Sequence, residues 1–331
     1  MNEHGPSIRG TLPIFAAKTH RQPIWHYTDA AGLVGILSGT TRSPSKPPAD
    51  DASTSASSVS SQTGTLRATA ATLLNDFSEL KFGAERILDW YNAKDNALGG
   101  TIRDHVAIRY VLSDLVSQLA DHPTFVCCAS TMRDSLEHWR GYAGEGGYAL
   151  KLDPWATYTL LDRPSVETGY MVEPVWLRVR YEPAEQDELI SWVFEQLLAS
   201  NSLVGRMVAS EDEPSAVAVV QAHLAALAAV LKHPAFRNES EVRLVVQRPA
   251  GVSPSFRPSR RGPVPYLTLG HAPLGNAQSP TFFTPLPVEE VIVGPPKGDA
   301  MVQRERGTRM LLEATGRSSI PVNRSDIPFL P

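Results

Sequence analysis

Strand-like and helix-like stretches do not alternate along this 331-residue chain, and that order limits its architecture more than any single motif. Short apolar runs of strand character lie at residues 124–130, 148–152, 175–181 and 241–247, with two more at 266–269 and 288–294. Helical periodicity gathers elsewhere, over residues 77–90, 101–119, 136–142, 189–198, 216–231 and 304–312. A doubly wound parallel sheet needs a helix after each strand, so this order predicts an α+β fold. The first element pair is the most explicit. Trp25 to Leu37 reads as a strand, a turn with Asp29 as N-cap, and a helix whose apolar face is Ala31, Leu33, Val34 and Leu37.

Two stretches fall outside this pattern. Residues 1–22 read as a loosely docked arm. Residues 43–65 are rich in Ser, Thr, Ala, Asp and Pro with Val59 as their one aliphatic residue, so they read as a disordered insert in a loop. The remainder, 23–331, reads as one domain interrupted by that insert.

Composition removes several classes. The net charge is −4 and the pI about 6.2, so no global field draws polyanions, although a local basic groove remains open. The two cysteines, Cys127 and Cys128, are adjacent and sit in an apolar run, which predicts buried thiols and no disulfide framework. With no signal-peptide pattern and no membrane-length apolar run, a cytoplasmic protein without membrane partners is expected. No His-Glu-x-x-His, Cys-x-x-Cys, Walker, Gly-x-Ser-x-Gly or dinucleotide fingerprint occurs, so no metal is expected.

Polar residues at strand mouths carry the chemical signal. Trp25-His26-Tyr27-Thr28 opens the first strand, and Glu239-Ser240-Glu241-Val242-Arg243 opens a late apolar one. In extended backbone Glu239, Glu241 and Arg243 share a face. The competing reading is a salt-bridged edge joining Glu241 to Arg243. Tyr27 faces opposite to His26 and suits a core. Asn75 and Asp76 fit helix capping with Ser78 and Glu79, and one of them is free to line a cleft. Ser130 competes between a pocket role and capping. Trp139, Arg140 and Tyr142 precede a glycine cluster and read either as a core helix end or as a wall beside a pyrophosphate.

The motifs together resemble the bacterial domain-of-unknown-function family 2971, over roughly residues 24–330. The likeness runs through His26-Tyr27-Thr28, Leu74-Asn75-Asp76 with Glu79, Cys128-Ala129-Ser130, Trp139-Arg140-Gly141-Tyr142 and Lys232-His233. Phe236, Glu239-Ser240-Glu241-Val242-Arg243 and Glu290 to Gly294 complete it. More loosely, His-Tyr at a first strand, Ser after a middle strand and Glu at a late strand is similar to the ADP-ribosyltransferase superfamily. That resemblance implies split mixed sheets flanked by helices and NAD as substrate. His26 would bind the adenosine side, Ser130 the nicotinamide pocket and Glu241 the ribose hydroxyl. Glu239 would serve the acceptor, a protein, a nucleic acid or water. It also implies a toxin or phage-defence effector. The alternative from another class is a nucleotide-binding or interaction module without turnover.

Overall fold

The computed structural model describes residues 18–39, 63–73, 78–94, 102–121, 124–143, 146–161, 174–199, 201–249, 251–259, 262–271, 284–295 and 300–328. Helices and a mixed set of strands make an α+β fold, as the order of runs predicts. The residues form two compact units, each assembled from three chain segments.

The first unit contains residues 67–128 and 162–267 together with the N-terminal arm to His20. Its strands are β2 (Leu66–Ala70) from Arg67 on, β3 (Thr124–Ser130) as far as Cys128, β6 (Trp176–Arg178), β7 (Glu241–Gln247), β8 (Ser255–Ser259) and the first part of β9 (Gly262–His271). Its helices are α2 (Ser78–Lys94), α3 (Ile102–Leu112), α4 (Leu115–Asp121), α6 (Pro183–Leu198), α7 (Leu203–Ala209) and α8 (Glu213–Ala228). Strand β7 lies between β3 and β6, with Leu177 opposite Arg243 and Arg178 opposite Val242. Buried on both faces, β7 reads as a near-continuous apolar run, which explains why its bounds were legible.

Helix α8 packs at the centre of this unit against α2, α3 and α7. It is Ala-rich and buried almost all round, so neighbouring helices can approach closely. At Gly83 of α2, an added Cβ would sit 2.2 Å from the Ala228 carbonyl oxygen. Trp90 and Tyr91 stack on Phe194, with ring centroids 5.2 and 5.3 Å away.

Within 101–119, which the sequence pattern reads as one helix, the described residues form two, Ile102–Leu112 and Leu115–Asp121. Ser113 and Asp114 are exposed at the break, and Val106 and Tyr110, expected inside, are 61% and 63% exposed. Leu112, Leu115 and Leu119 are buried as the spacing predicts, while Ile108 and Val111 take the inward positions ahead of the break. In the arm, Thr19 forms an antiparallel bridge to Leu177 and His20 N–H donates to the Trp176 carbonyl, so its described end pairs alongside β6.

The second unit contains residues 21–66, 129–161 and 268–331. Strand β1 (Ile24–Thr28) pairs antiparallel with β4 (Tyr148–Leu152), and β4 pairs antiparallel with β10 (Val288–Val293). Strand β11 (Val322–Arg324) is parallel to β10. Helices α1 (Ala30–Leu37), α5 (Leu136–Tyr142) and α9 (Met301–Ala314) complete it, and β5 (Tyr158–Leu160) pairs with the end of β9.

Asp29 caps α1, accepting from Gly32 N–H at 2.7 Å as its position predicts. The buried face of α1 is Leu33, Ile36 and Leu37, however, while Ala31 and Val34 are exposed. Of the Ser-rich insert, residues 43–62 lie outside the described residues. Thr63 to Thr65 are buried and bonded: Gly64 N–H donates to Gly39 and Thr65 N–H to Ile36, which corrects the disordered reading at that end. Composition averages over a segment and misses two backbone donors that find carbonyls and the Thr63 carbonyl, which accepts from Leu286 N–H.

Candidate functional site

The described polar chemistry concentrates in the first unit, at the head of β7. Backbone geometry creates the site. The 3-10 turn Pro234–Glu239 ends at Ser240, which adopts the left-handed conformation with φ 43° and ψ 47°. Glu239 and Glu241 therefore do not alternate along one extended strand, as their spacing suggested. A non-glycine left-handed residue costs on the order of 1 kcal/mol, so the surrounding bonds must over-determine it.

Those bonds centre on Lys232. Its Nζ lies 2.9 Å from Glu79 Oε1, 2.7 Å from Glu239 Oε2 and 3.1 Å from Glu241 Oε2. An ammonium has three protons, and here each has a carboxylate. Arg243, two residues along the same face of β7 from Glu241, grips it twice. Nε donates to Oε1 at 2.8 Å and Nη2 to Oε2 at 2.7 Å. Nη2 also reaches Glu79 Oε2 at 2.6 Å, and Nη1 donates to the Ala229 carbonyl at 2.7 Å. The Tyr181 hydroxyl accepts the Glu241 backbone N–H at 3.0 Å, and the Cys128 thiol donates to the Glu241 carboxylate. Gln186 fixes the base of the cluster, its Nε2 lying 2.9 Å from the Lys232 carbonyl and 3.0 Å from that of Arg180.

Three carboxylates against two cations leave one negative charge in a mostly buried cluster. Burial by itself would push the Glu241 carboxyl up. The charges of Arg243 and Lys232, and the bonds from Arg243 and Cys128, outweigh it and hold the group at about 2. Lys232 is raised above the ordinary amine range, because Glu241, Glu79 and Glu239 overcome its burial penalty. It is therefore a fixed cation and not a nucleophilic amine. Burial, reinforced by Glu241, pushes Cys128 up, so that thiol stays protonated.

Exposure separates the three acids. The Glu241 side chain is 8% exposed, with both oxygens engaged, whereas Glu79 is 14% and Glu239 16% exposed. Glu79 and Glu239 are thus the more open acids of the cluster, and Glu239 stands at the end of the 3-10 turn. A separate cavity of about 220 Å³ in this unit is lined by Leu115, Gln118, Ala222 and Gln247 among others, and by none of these acids.

The remaining sequence candidates divide plainly. Asn75 and Asp76 lie outside the described residues. His26, Tyr27, Thr28, Ser130, Trp139, Arg140 and Tyr142 belong to the second unit. Tyr27 is a core aromatic there. It stacks on His138 at 4.8 Å, meets Trp139 edge-on at 4.8 Å, and donates its hydroxyl to the Met132 carbonyl. Thr28 packs where a Cβ on Gly32 would lie, 1.8 Å from its hydroxyl oxygen. Ser130 Oγ accepts from Met132 N–H, a local turn bond.

Trp139 is buried and donates its indole N–H to Asp134 at 2.6 Å, while Arg140 and Tyr142 are exposed. Since Trp139 points inward and the other two outward, they do not form one wall. His26 is half-buried in β1 opposite Leu150.

Sequence reasoning passed over Glu79, Tyr181, Gln186 and Lys232 as site members. Lys232 had a readable signal: it directly follows the apolar run Leu224 to Leu231, and a lysine buried beside such a run needs acids.

Fold and site together define an α+β protein with a buried ionic cluster at a strand mouth. Residues 138–244 match the model of a family described as Protein of unknown function (DUF2971). That stretch is narrower than the full span of the motif likeness and includes Trp139, Lys232, Glu239, Glu241 and Arg243. No match was found among curated proteins or among solved structures. Among the described residues, no helix is long and apolar enough to cross a membrane, and no group of His, Cys, Asp and Glu could hold a metal ion.

Proposed function

We propose that this protein cleaves NAD at the nicotinamide–ribose bond and passes ADP-ribose to a macromolecular acceptor or to water, in the manner of ADP-ribosyltransferases. The observation that carries the reading is the net negative, partly open acid cluster at the head of β7. Breaking this bond develops positive charge on the ribose ring, and preorganised negative charge lowers that barrier. In this reading Glu239 meets the ribose or the acceptor. Glu241 is held ionised behind it and sets the local field. Its role thereby shifts from direct ribose contact to positioning, because Arg243 and Lys232 occupy both its oxygens.

That same occupancy favours a second reading, a nucleotide-binding or interaction module in which the cluster is structural. Nicotinamide release separates the two. The wild-type protein is incubated with NAD, with cell extract as acceptor source, beside Glu239→Gln. Release that falls by about 100-fold in the variant, with a melting temperature lowered by no more than about 4 °C, supports the transferase reading. An NAD-induced thermal shift without release supports the binding module, and release unaltered by the variant removes Glu239 from the site.

A further inference from the structure

Residues 242–288 contain no aspartate or glutamate, in a chain whose net charge is −4. Within that stretch β8 and the start of β9 form an antiparallel ribbon in the first unit. Residues directly opposite on such a ribbon share a face. Ser255 faces Tyr266 and Arg257 faces Val264 on one side, while Phe256 faces Pro265 and Pro258 faces Pro263 on the other. The first side, where Val264 is buried and Arg257 and Tyr266 are half-buried, gains the exposed Arg67 from β2, whose guanidinium lies 4.8 Å over the Tyr266 ring. On the other side Phe256 is 62% exposed, although a phenyl ring of this size normally finds a core.

The chemistry of this ribbon selects its partner. Pro258, Pro263 and Pro265 lack N–H groups, so the ribbon is a poor template for a further strand. Arg257, in a stretch without acids, and Arg67 of β2 on the same side suit phosphates, which arginine grips with paired donors. An exposed ring and a tyrosine backed by arginine supply flat faces that any base can stack on. Cationic and aromatic groups interleaved on a narrow ribbon are the ingredients of a platform for unpaired nucleotides.

We propose that the β8–β9 ribbon binds single-stranded nucleic acid, with Arg67 and Arg257 on backbone phosphates and Phe256 stacking a base. Because Phe256 and Arg257 lie on opposite faces, the strand crosses the β8 edge between them. The inference bears on the acceptor of the proposed reaction, yet it concerns binding alone and is tested without NAD. The two readings therefore stand or fall separately.

The test is fluorescence anisotropy of a labelled single-stranded oligonucleotide of about 16 nucleotides, the upper end of common platform site sizes, titrated with the full chain over a salt series. The expected result is binding whose affinity falls with salt. Arg67→Gln with Arg257→Gln should flatten the logarithmic salt slope by about 1.4, or about 0.7 for each phosphate that is no longer neutralised. Phe256→Ala should weaken binding about tenfold with little change in slope, the loss of one stack. All three positions are at the surface or half-buried, so melting temperatures should match the wild type. Absence of binding overturns the proposal, as does binding that these variants leave intact. Anionic phosphatidylserine vesicles are the comparison polyanion, and co-sedimentation with them in the absence of oligonucleotide binding would assign the ribbon to a membrane surface and overturn it equally.

Discussion

Glu241 and Arg243 sit two residues apart on one face of β7, and each is costly to bury without the other. Replacing Glu241 by Gln leaves Arg243 and Lys232 with fewer negative partners in a buried setting. The expected cost is about 3–5 kcal/mol, measured as a lowered urea midpoint. Arg243→Lys should destabilise comparably, since an ammonium cannot reproduce the paired grip on Glu241 together with the bond to Ala229. Glu239→Gln, at the cluster's open edge, should cost about 1 kcal/mol or less. A Glu241→Gln protein with wild-type stability would show that the cluster does not hold the fold. Glu241 as a chemically special residue was legible from its place at the mouth of an apolar strand. Its neutralisation was legible only in part. Arg243 is adjacent in the pattern, but Glu79 comes from 164 residues away and no local signal joins them. Ser240 was illegible as a left-handed residue, because serine rarely adopts that conformation.

At the scale of elements, three long buried strands were read with the right bounds, and the run 175–181 shortens to Trp176–Arg178. The short β2 and β5 were missed although mostly buried, as were the surface strands. Residues 124–130, 148–152 and 241–247 are apolar runs whose limits coincide with burial. By contrast β8 is Ser-Phe-Arg-Pro-Ser, mostly exposed, and β11 is three residues long with one buried. Neither has the alternation that betrays a half-buried strand. Helix ends shifted for a related reason. Helix α6 begins at Pro183, where proline suits the first turn, six residues before the apolar stripe that marks Leu189. Gly83 shows what a pattern of apolar residues leaves out. It is where α2 touches the end of α8, and the space there excludes even a methyl group. Gly83→Ala gains intrinsic helix propensity of about 1 kcal/mol. The 2.2 Å approach to the Ala228 carbonyl must still be relieved by moving backbone, and overpacking of that kind costs about 1–3 kcal/mol. The net expectation is a protein less stable than wild type, seen as a lower thermal midpoint; a higher midpoint would mean that α2 shifts freely on α8.

Across the whole molecule, two buried groups of the first unit give stability the same dependence on pH. His223, in α8, is held near 4 because burial disfavours its charged form, and its bond to the Val219 carbonyl offsets this only in part. Its ordinary value is 6.5, so between about 6.5 and 4 the unfolded chain takes up a proton that the folded chain refuses. Stability therefore falls with falling pH over that window, by on the order of 3 kcal/mol when the window is fully crossed. Glu241 acts over a lower window. Its carboxyl is near 2 in the folded chain against an ordinary 4.5, so the stabilisation by Arg243 and Lys232 is complete above about 4.5 and is lost as pH falls toward 2. Acid thus weakens the first unit in two stages, histidine first and carboxylate second. Urea midpoints measured from pH 7 to pH 3 should decline throughout. In His223→Gln, which keeps a polar side chain of similar reach without a titrating ring, the decline between about 6.5 and 4 should flatten while the lower stage persists. A variant profile parallel to the wild type over the upper window would mean that His223 is protonated in the native fold, and that α8 admits the charge its apolar surroundings are inferred to exclude.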